Sequence, residues 1–202
     1  RVCALRFPGL RACCMDSSPS IPSESRALPE GCRILGGSCA EARLVQRLSP
    51  WRSAGQAWDL LVLLAATRTA EHPGISAAGA TPESRRFTAL ADAELLLEGP
   101  GGKRRWPLPP LPAGVTPALL SHVALGLLPL SPLLAAVGLE HPAPFPHLRL
   151  EPPGLGPADC LSGGKAMSLA RVERLWRQGM HLGARLRRPV LLTECVPGGT
   201  TT

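Results

Sequence analysis

The stretch with the clearest chemical potential is "ECVPGGTTT", Glu194–Thr202, which follows an apolar run of strand length. Gly198 and Gly199 lack a Cβ and let backbone N–H groups approach a ligand, while the threonines at 200–202 supply hydroxyls where a helix would begin. This arrangement is typical of a phosphate-binding loop, although the same residues also fit an ordinary glycine turn with a threonine cap. The stretch lacks the lysine of a P-loop, so it does not imply hydrolysis of a nucleoside triphosphate.

Glu194 ends the strand beside this loop. A carboxylate there is poorly placed for phosphate itself but well placed for a ribose hydroxyl or a base nitrogen. A solvated acid at the end of a strand is the alternative interpretation.

A second candidate block is "PGISAAGATPESRR", Pro73–Arg86. Its small residues would let a flat ligand lie against the backbone, and its serines, threonine and Arg86 supply polar groups. As a pattern alone it predicts a loop before a helix. The loop "LSGGK", Leu161–Lys165, resembles the signature loop of ABC transporter ATPases, but no Walker A loop accompanies it, so it too predicts only a loop before a helix.

Metal and thiol chemistry have little support in the sequence. The five histidines show no metal-ligand spacing, and the seven cysteines include no CxxC pair. Their odd number and irregular spacing argue against a disulfide framework, so we expect a reducing cytoplasm. Cys195 has no identifiable catalytic partner, and we therefore interpret it as structural.

Length and composition allow one domain with a sizeable core in 202 residues, of which 45% are hydrophobic. The net charge is +7, but the arginines are scattered and no aromatic residues are interleaved with them. A basic surface or an anionic small-molecule substrate therefore fits better than nucleic acid. Residues 1–31 are predicted to be a disordered or non-native leader, and residues 32–202 to be part of an α/β domain.

Apolar runs and caps predict alternating strands and helices. "WDLLVLLAAT" at 58–67 suits a buried parallel strand. One helix is predicted from the cap Thr81 to Gly99, another from Thr116, and a third from the cap Ser168. Strands are predicted at "PLLAAVGL" and at 189–195, whereas 140–160 is predicted to be a long extended loop. The earlier stretch "RILGGSCAEARLVQRL", at 33–48, is predicted to be a short strand, a glycine turn and a helix. The fold class is therefore α/β, a Rossmann-like parallel sheet with flanking helices.

In such folds ligands bind outside the carboxyl ends of the strands, which here are followed by the loops after Thr67, Leu139 and Cys195. The predicted last helix places apolar residues and two glycines, Gly179 and Gly183, on one face. We expect these glycines to allow close approach to a sheet. The apolar stretch at 117–139 has the length of a membrane span, but its histidine and two internal prolines favour a helix, a turn and a strand instead.

The blocks "PGISAAGATPESRRFTALADAELLLEGP" and "GGKAMSLARVERLWRQGMHLGARL…PVLLTECVPGGTTT" resemble the nicotinate-nucleotide–dimethylbenzimidazole phosphoribosyltransferase family, and most closely its uncharacterised prokaryotic branch. The resemblance covers about Ile34 to Thr202. It implies a Rossmann-like α/β domain with a smaller helical part built from both termini. It also implies transfer of a 5-phosphoribosyl group from nicotinate mononucleotide to a nitrogen of a lower-ligand base, which forms an α-riboside 5′-phosphate for cobamide assembly.

The resemblance also assigns site residues by position. Phosphate and ribose binding fall to Glu194 and to the loop residues Gly198, Gly199, Thr200 and Thr201. The pocket for the aromatic base falls less specifically to Ser76, Ala77 and Ala78. The reaction needs no metal or cofactor, and the family implies a homodimer when full length, with neither nucleic acid nor membrane as partner.

The sequence departs from the family in two ways. Family members are nearly twice as long, and their catalytic carboxylate lies near the far C-terminus, so this chain is expected to be an N-terminal fragment that is inactive alone. The loop has Val-Pro-Gly-Gly where characterised enzymes have Gly-Ile-Gly-Asn, which leaves the accepted base open. A non-catalytic nucleotide-binding or regulatory relative is the alternative function, and a basic RNA-binding domain is a third.

Overall fold

The computed structural model describes residues 58–76, 78–108, 116–128 and 130–199. All of these residues lie in one compact unit that begins at Trp58. The predicted leader over 1–31, the boundary at residue 32 and the strand and helix predicted at 33–48 lie outside the described residues.

The described part of the chain is built on one parallel four-stranded sheet with the strand order β3-β2-β1-β4. The strands are β1 (Asp59–Ala65), β2 (Pro132–Val137), β3 (Leu148–Arg149) and β4 (Val190–Cys195). In this register Leu61 of β1 lies between Leu133 of β2 and Leu192 of β4. The arrangement confirms the predicted α/β class with a parallel sheet.

Helices occupy two of the three connections between these strands, as is usual in a parallel sheet. The helices are α1 (Pro82–Arg85), α2 (Thr88–Glu98), α3 (Pro117–Leu127) and α4 (Leu169–Arg185). The first three lie between β1 and β2, and α4 lies between β3 and β4. Two short 3₁₀ turns follow β1 and precede α4, at Arg68–Glu71 and at Leu161–Gly163.

The core lies between β1 and α2. Leu60, Val62 and Leu64 point to the same face of β1 because strand side chains alternate, and they form one buried cluster with small residues of α2, among them Ala89 and Ala93. The small side chains of α2 let the helix approach the leucines of the strand closely. The apolar run of the sequence therefore becomes a central strand, as predicted.

The helix predicted between Thr81 and Gly99 is broken into α1 and α2. The start is as expected, because the Thr81 hydroxyl accepts a hydrogen bond from the Ser84 N–H and the Ser84 side chain completes a capping box. The chain turns at Arg86 and Phe87 before α2 begins. The break lets the buried Arg85 donate to the carbonyls of Gly79 and Ala70, which a continuous helical pattern could not reveal.

The apolar stretch at 117–139 forms α3 and β2, as the sequence indicates. The Thr116 hydroxyl caps α3 by accepting from the Ala118 N–H. Among the described residues, no helix has both the length and the apolar character needed to span a membrane.

The predicted long loop at 140–160 contains one element that the sequence analysis missed. Leu148 and Arg149 pair with Ala135 and Ala136 of β2 to form the two-residue edge strand β3. Prolines on either side limit it to this length, and so short an edge strand has no periodicity to detect.

Helix α4 begins at its predicted cap, where the Ser168 hydroxyl accepts from the Arg171 N–H. The expectation that Gly179 allows close approach to a sheet is wrong, because a Cβ added there would have no neighbour within 4 Å. The apolar side of α4 is instead exposed, with Trp176 at 73% of its full accessible surface. The amphipathic pattern predicted the helix correctly but not its surroundings.

Candidate functional site

The order of the strands defines a topological switch point between β1 and β4. From β1 the chain moves to β2 and β3 on one side, and it then crosses back to place β4 on the other side of β1. The carboxyl ends of β1 and β4 therefore lie side by side at one edge of the sheet. This is the position where open α/β sheets bind ligands.

The loops after β1 and β4 are in direct contact at this edge of the sheet. The Thr67 hydroxyl donates a hydrogen bond of 2.7 Å to the Pro197 carbonyl. Gly198 has a φ of +77°, and a Cβ on it would lie 2.5 Å from Thr67 Oγ1 and 2.7 Å from the Ala70 nitrogen. Glycine is therefore required here by loop packing as well as by the backbone conformation.

The other members of the predicted phosphate and ribose group lie on the same strand and turn. The Gly199 N–H donates to the Val196 carbonyl at 2.8 Å, which closes a tight turn directly after β4. Glu194 is exposed and lies beside Leu63 of β1 in the register. Thr200 and Thr201 lie outside the described residues. The structure thus brings Glu194, Gly198 and Gly199 to the edge of the sheet where β1 also ends.

The predicted base-pocket residues lie in the long loop after β1. The Ser76 hydroxyl accepts from the Ala78 N–H at 3.2 Å, and the Thr88 hydroxyl donates to the Ala78 carbonyl at 2.8 Å. These bonds attach the loop to the start of α2. Ala77 is outside the described residues.

An ion-pair network at the same edge of the sheet was missed by the sequence analysis. Glu71 bridges two arginines, with 2.7 Å from one oxygen to Arg68 Nη1 and 2.7 Å from the other to Arg86 Nη2. Arg68 also contacts Glu140, which follows β2, at 2.9 Å. Burial alone would raise the pKa of Glu71, but hydrogen bonds from Arg86 and Arg68 outweigh it and lower the pKa.

This network joins the loop after β1 to the loop after β2. Arg68 and Glu71 are three residues apart immediately after a strand, which was a usable signal for an ion pair, whereas nothing in the sequence paired either of them with Glu140.

Three aromatic rings stack next to the network. The Phe87 and Trp106 ring centroids are 4.8 Å apart with nearly parallel planes, and His141 lies 4.9 Å from Trp106. The loop that carries Trp106 is held by the buried carboxylate of Glu94, which accepts from two backbone N–H groups. The sequence offered no signal for these three rings, because Phe87 lies between α1 and α2, Trp106 between α2 and α3, and His141 after β2.

A cavity of about 350 Å³ opens at the carboxyl ends of β2 and β3. Its lining runs from Ala136 to Ala143 and from Glu151 to Gly156, with His147 and Arg149 between them. Its volume is at the lower end of the range for small-molecule pockets. The cavity lies on the opposite side of β1 from β4, and Glu140 is shared between its lining and the ion-pair network.

Cys195 is unsuited to act as a nucleophile, as the sequence analysis inferred. Its thiol points to the α2 side and lies 3.5 Å from the Asp92 carboxylate. Burial and then the neighbouring charge of Asp92 raise the pKa of Cys195 well above its usual value. Burial also raises the pKa of Asp92, against hydrogen bonds from Thr116 and Cys195. The group packs β4 against α2 and α3.

Three of the described histidines form hydrogen bonds with backbone carbonyls. His122 Nδ1 bonds the Leu96 carbonyl and links α3 to α2, whereas His72 and His147 each bond a carbonyl within two residues. Within the described ranges, no three His, Cys, Asp or Glu side chains are grouped closely enough to hold a metal ion.

The fold and the paired loops define an α/β protein in which the loops after β1 and β4 meet at the switch point of a parallel sheet. Comparison with known proteins adds a family name. The chain is 67% identical over 184 residues to the UPF0284 protein of Parasynechococcus marenigrum strain WH8102, a match that covers 91% of the chain and 47% of the relative. It is 57% identical over 194 residues to the UPF0284 protein of Prochlorococcus marinus strain MIT 9313, a match that covers 93% of the chain and 48% of that relative.

A more distant UPF0284 protein, from Cyanothece sp. strain PCC 7425, is 45% identical over 163 residues. The chain thus spans about half the length of the curated relatives it matches. No protein-family model matches the chain. The relatives' names state a family and no activity, so the comparisons support similarity to UPF0284 proteins and no more specific identity.

Proposed function

We propose that the longer protein represented by this chain transfers a 5-phosphoribosyl group from nicotinate mononucleotide to a nitrogen of a lower-ligand base such as dimethylbenzimidazole. The observation that carries the proposal is the topology. Two sequence blocks that resemble the phosphoribosyltransferase family are far apart in the chain, yet the loop after β1 and the loop after β4 meet at the switch point.

Each loop has a distinct role in this proposal. The turn at 196–199 leads into the threonines that follow it, whose hydroxyls and backbone N–H groups hold the 5′-phosphate, and the exposed Glu194 accepts from a ribose hydroxyl. The loop at Ser76–Ala78 borders the aromatic base.

The reaction breaks the bond between the ribose C1 and the nicotinate nitrogen, and the bonding electrons leave with nicotinate. A bond forms from C1 to the base nitrogen, whose proton passes to a general base. The family resemblance implies that this base is a carboxylate outside the present sequence. The chain's own residues therefore bind and orient the substrates, which is a large part of the work in a two-substrate transfer.

The test uses a completed chain, in which the part of the Parasynechococcus relative that this sequence does not match is joined to it in the relative's order. The completed chain is incubated with nicotinate mononucleotide and a panel of bases that includes dimethylbenzimidazole and adenine. Free nicotinate and riboside phosphate are followed by mass spectrometry. Base-dependent release of nicotinate is the expected result, and it also names the acceptor.

A matched pair of variants connects the activity to the edge of the sheet where β1 and β4 end. Glu194→Gln in the completed chain should lower kcat/KM at least tenfold, whereas Glu173→Gln, at an exposed position on α4, should change it less than twofold. Binding of the nucleotide without release of nicotinate for any base would contradict the transferase and leave a non-catalytic nucleotide-binding protein.

A further inference from the structure

The cavity at the carboxyl ends of β2 and β3 owes its shape to the segment that follows β3. This segment runs back to the end of β1, where the Ala158 N–H donates to the Ala66 carbonyl at 3.3 Å and the Arg68 N–H donates to the Ala158 carbonyl at 2.8 Å. Because β2 lies between β3 and β1, the segment passes over the end of β2. It thereby encloses the cavity of about 350 Å³.

A half-buried arginine outside the lining joins the two walls of the cavity. Arg171 donates from Nε and Nη2 to the two oxygens of Glu151 at 2.7 and 2.8 Å, and from Nη2 to the Gly156 carbonyl at 2.8 Å. On the wall after β2, Gly138 has a φ of +52°, and a Cβ on it would lie 2.7 Å from Arg171 Nη2 and 2.8 Å from the Gly156 oxygen. The cavity is therefore built by packed backbone around a fixed guanidinium, and it exists before any ligand enters.

The charges of the lining leave one cation without a partner. Three lining residues carry a full charge, namely Glu140, Arg149 and Glu151. Arg68 pairs with Glu140 at 2.9 Å, and Arg171 pairs with Glu151 at 2.7 Å. The guanidinium of Arg149, an exposed residue of β3, forms neither an ion pair nor a hydrogen bond with any described residue. Both carboxylates are thus neutralised, and the unpaired charge of the cavity is positive.

The rest of the lining suits a flat apolar body. It consists mainly of alanine, valine, leucine, proline and glycine. His141 also lines the cavity, and its ring stacks on Phe87 and Trp106 with centroid distances of 5.3 and 4.9 Å. A planar ring in the cavity would extend this stack and bury apolar surface against the aliphatic walls.

We propose that this cavity binds a small aromatic carboxylate, whose carboxylate pairs with Arg149 and whose ring lies against His141. The planar fork of one guanidinium matches one carboxylate with two parallel hydrogen bonds. A phosphate group fits less well, because it is usually held by several cations or by a helix N-terminus, and no lining residue begins a helix.

This site is distinct from the one proposed for phosphoribosyl transfer. The cavity lies on the opposite side of β1 from β4, whereas Glu194 and the turn at 196–199 belong to β4 and its loop. The proposal therefore does not depend on the reaction proposed above, and either can fail while the other holds.

Calorimetric titration of the completed chain with three matched probes tests the chemistry of the ligand. Benzoate is the aromatic anion, benzamide is its uncharged analogue, and cyclohexanecarboxylate keeps the charge but is not planar. Benzoate should bind at least tenfold more tightly than benzamide, because only the anion pairs with Arg149. It should bind at least threefold more tightly than cyclohexanecarboxylate, because only the planar ring stacks.

A pair of arginine variants connects the binding to the cavity. Arg149→Gln should weaken benzoate at least tenfold and benzamide less than twofold. Arg187→Gln, at an exposed position outside the lining, removes the same charge and should change the affinity for benzoate less than twofold. Urea unfolding of both variants shows whether they remain folded. Equal weakening by the two variants would overturn the proposal, because it would reduce the effect to net charge.

Nuclear magnetic resonance of the histidine rings locates the bound probe without any substitution in the lining. The ring resonances of His141 should shift as benzoate is added and should saturate with the affinity that calorimetry gives. His181, exposed on α4, is the internal control and should not shift. A shift of His181 as large as that of His141 would overturn the proposal.

Two further results would also overturn it. One is the absence of saturable binding below about 10 mM for benzoate, salicylate and 4-hydroxybenzoate alike, a threshold that even weak ligands of this size reach in a formed pocket. The other is binding of benzoate that persists in Arg149→Gln and is lost in Glu194→Gln, which would place the probe at the ends of β1 and β4 instead.

Discussion

The Thr67 hydroxyl donates a hydrogen bond to the Pro197 carbonyl across 130 positions of sequence. Thr67 lies just after β1 and Pro197 just after β4, so this bond closes the switch point of the sheet. It fixes the loop that we propose to bind the phosphate against the loop that carries the proposed base pocket. The spacing between the two loops is therefore set by a side-chain bond as well as by the sheet.

Replacement of Thr67 tests this connection. Thr67→Val keeps the shape of the side chain but removes the hydroxyl, and it should lower the free energy of unfolding by about 1 kcal/mol, the usual net contribution of such a bond. Thr193→Val, at an exposed position of β4, is the control and should change stability by less than about 0.5 kcal/mol. Urea unfolding measures both. Equal effects would mean that the Thr67 bond contributes nothing.

Gly198 should be far less tolerant of substitution than another glycine of the same backbone conformation. Gly198→Ala should cost about 1 kcal/mol for the positive φ and more for the contact with Thr67 and Ala70. Gly154 has a φ of +89°, and a Cβ added to it would meet no atom within 4 Å. Gly154→Ala should therefore lose only the stability that the positive φ costs a residue with a side chain. Thermal unfolding that gives the two variants the same loss would show that the loops do not pack as described.

Asp92 gives a prediction for the dependence of stability on pH. Burial raises its pKa in the folded chain, so between its unfolded value of about 3.9 and the raised value the native state binds more protons than the unfolded state. The free energy of unfolding of the native chain should therefore fall as pH rises through this window.

Asp92→Asn removes this titration but can still accept the bond from Thr116. The variant should gain stability relative to the native chain between pH 3.5 and pH 7, with no further gain once Asp92 is fully ionised. Chemical unfolding at a series of pH values measures the difference. A difference that is constant with pH, or that shrinks as pH rises, would contradict the assigned burial of Asp92.

The two ion pairs of α4 should differ widely in their contribution. Arg171→Gln leaves the carboxylate of Glu151 buried without its partner, since that side chain is only 3% exposed, and should cost about 3 kcal/mol. Arg177→Gln breaks an exposed pair with Glu173 and should cost less than about 0.5 kcal/mol. Hydrogen exchange in the first turn of α4 should accelerate only in the first variant. Comparable losses in both would mean that the buried pair does not anchor the helix.

Much of the fold could be predicted because local signals agreed with the tertiary structure. The apolar run of β1, the Thr81, Thr116 and Ser168 caps and the glycine at 99 each mark an element that exists. The break at Arg86 and Phe87 could not be predicted, because it depends on carbonyls of a distant loop that bind Arg85. Strand β3 was missed because its pairing with β2 is purely tertiary.

The candidate site was predictable in its loops but not in its contacts. Two glycines and an acid after a strand indicate a ligand loop, and the structure places Gly198, Gly199 and Glu194 beside the end of β1. The role of Gly198 in packing against Thr67 depends on the strand order, which no local pattern encodes. The same reason explains why the link from Arg68 to Glu140 was not foreseen.

The central claim is that the loops after β1 and β4 hold a nucleotide by its 5′-phosphate. The most direct test titrates the completed chain with nicotinate mononucleotide and with nicotinic acid riboside, which lacks only the phosphate, by calorimetry. We predict that the mononucleotide binds at least tenfold more tightly, and that replacing Thr200 and Thr201 together by valine removes most of this difference. Equal affinity for the two ligands, or a difference that the double variant leaves intact, would contradict the account.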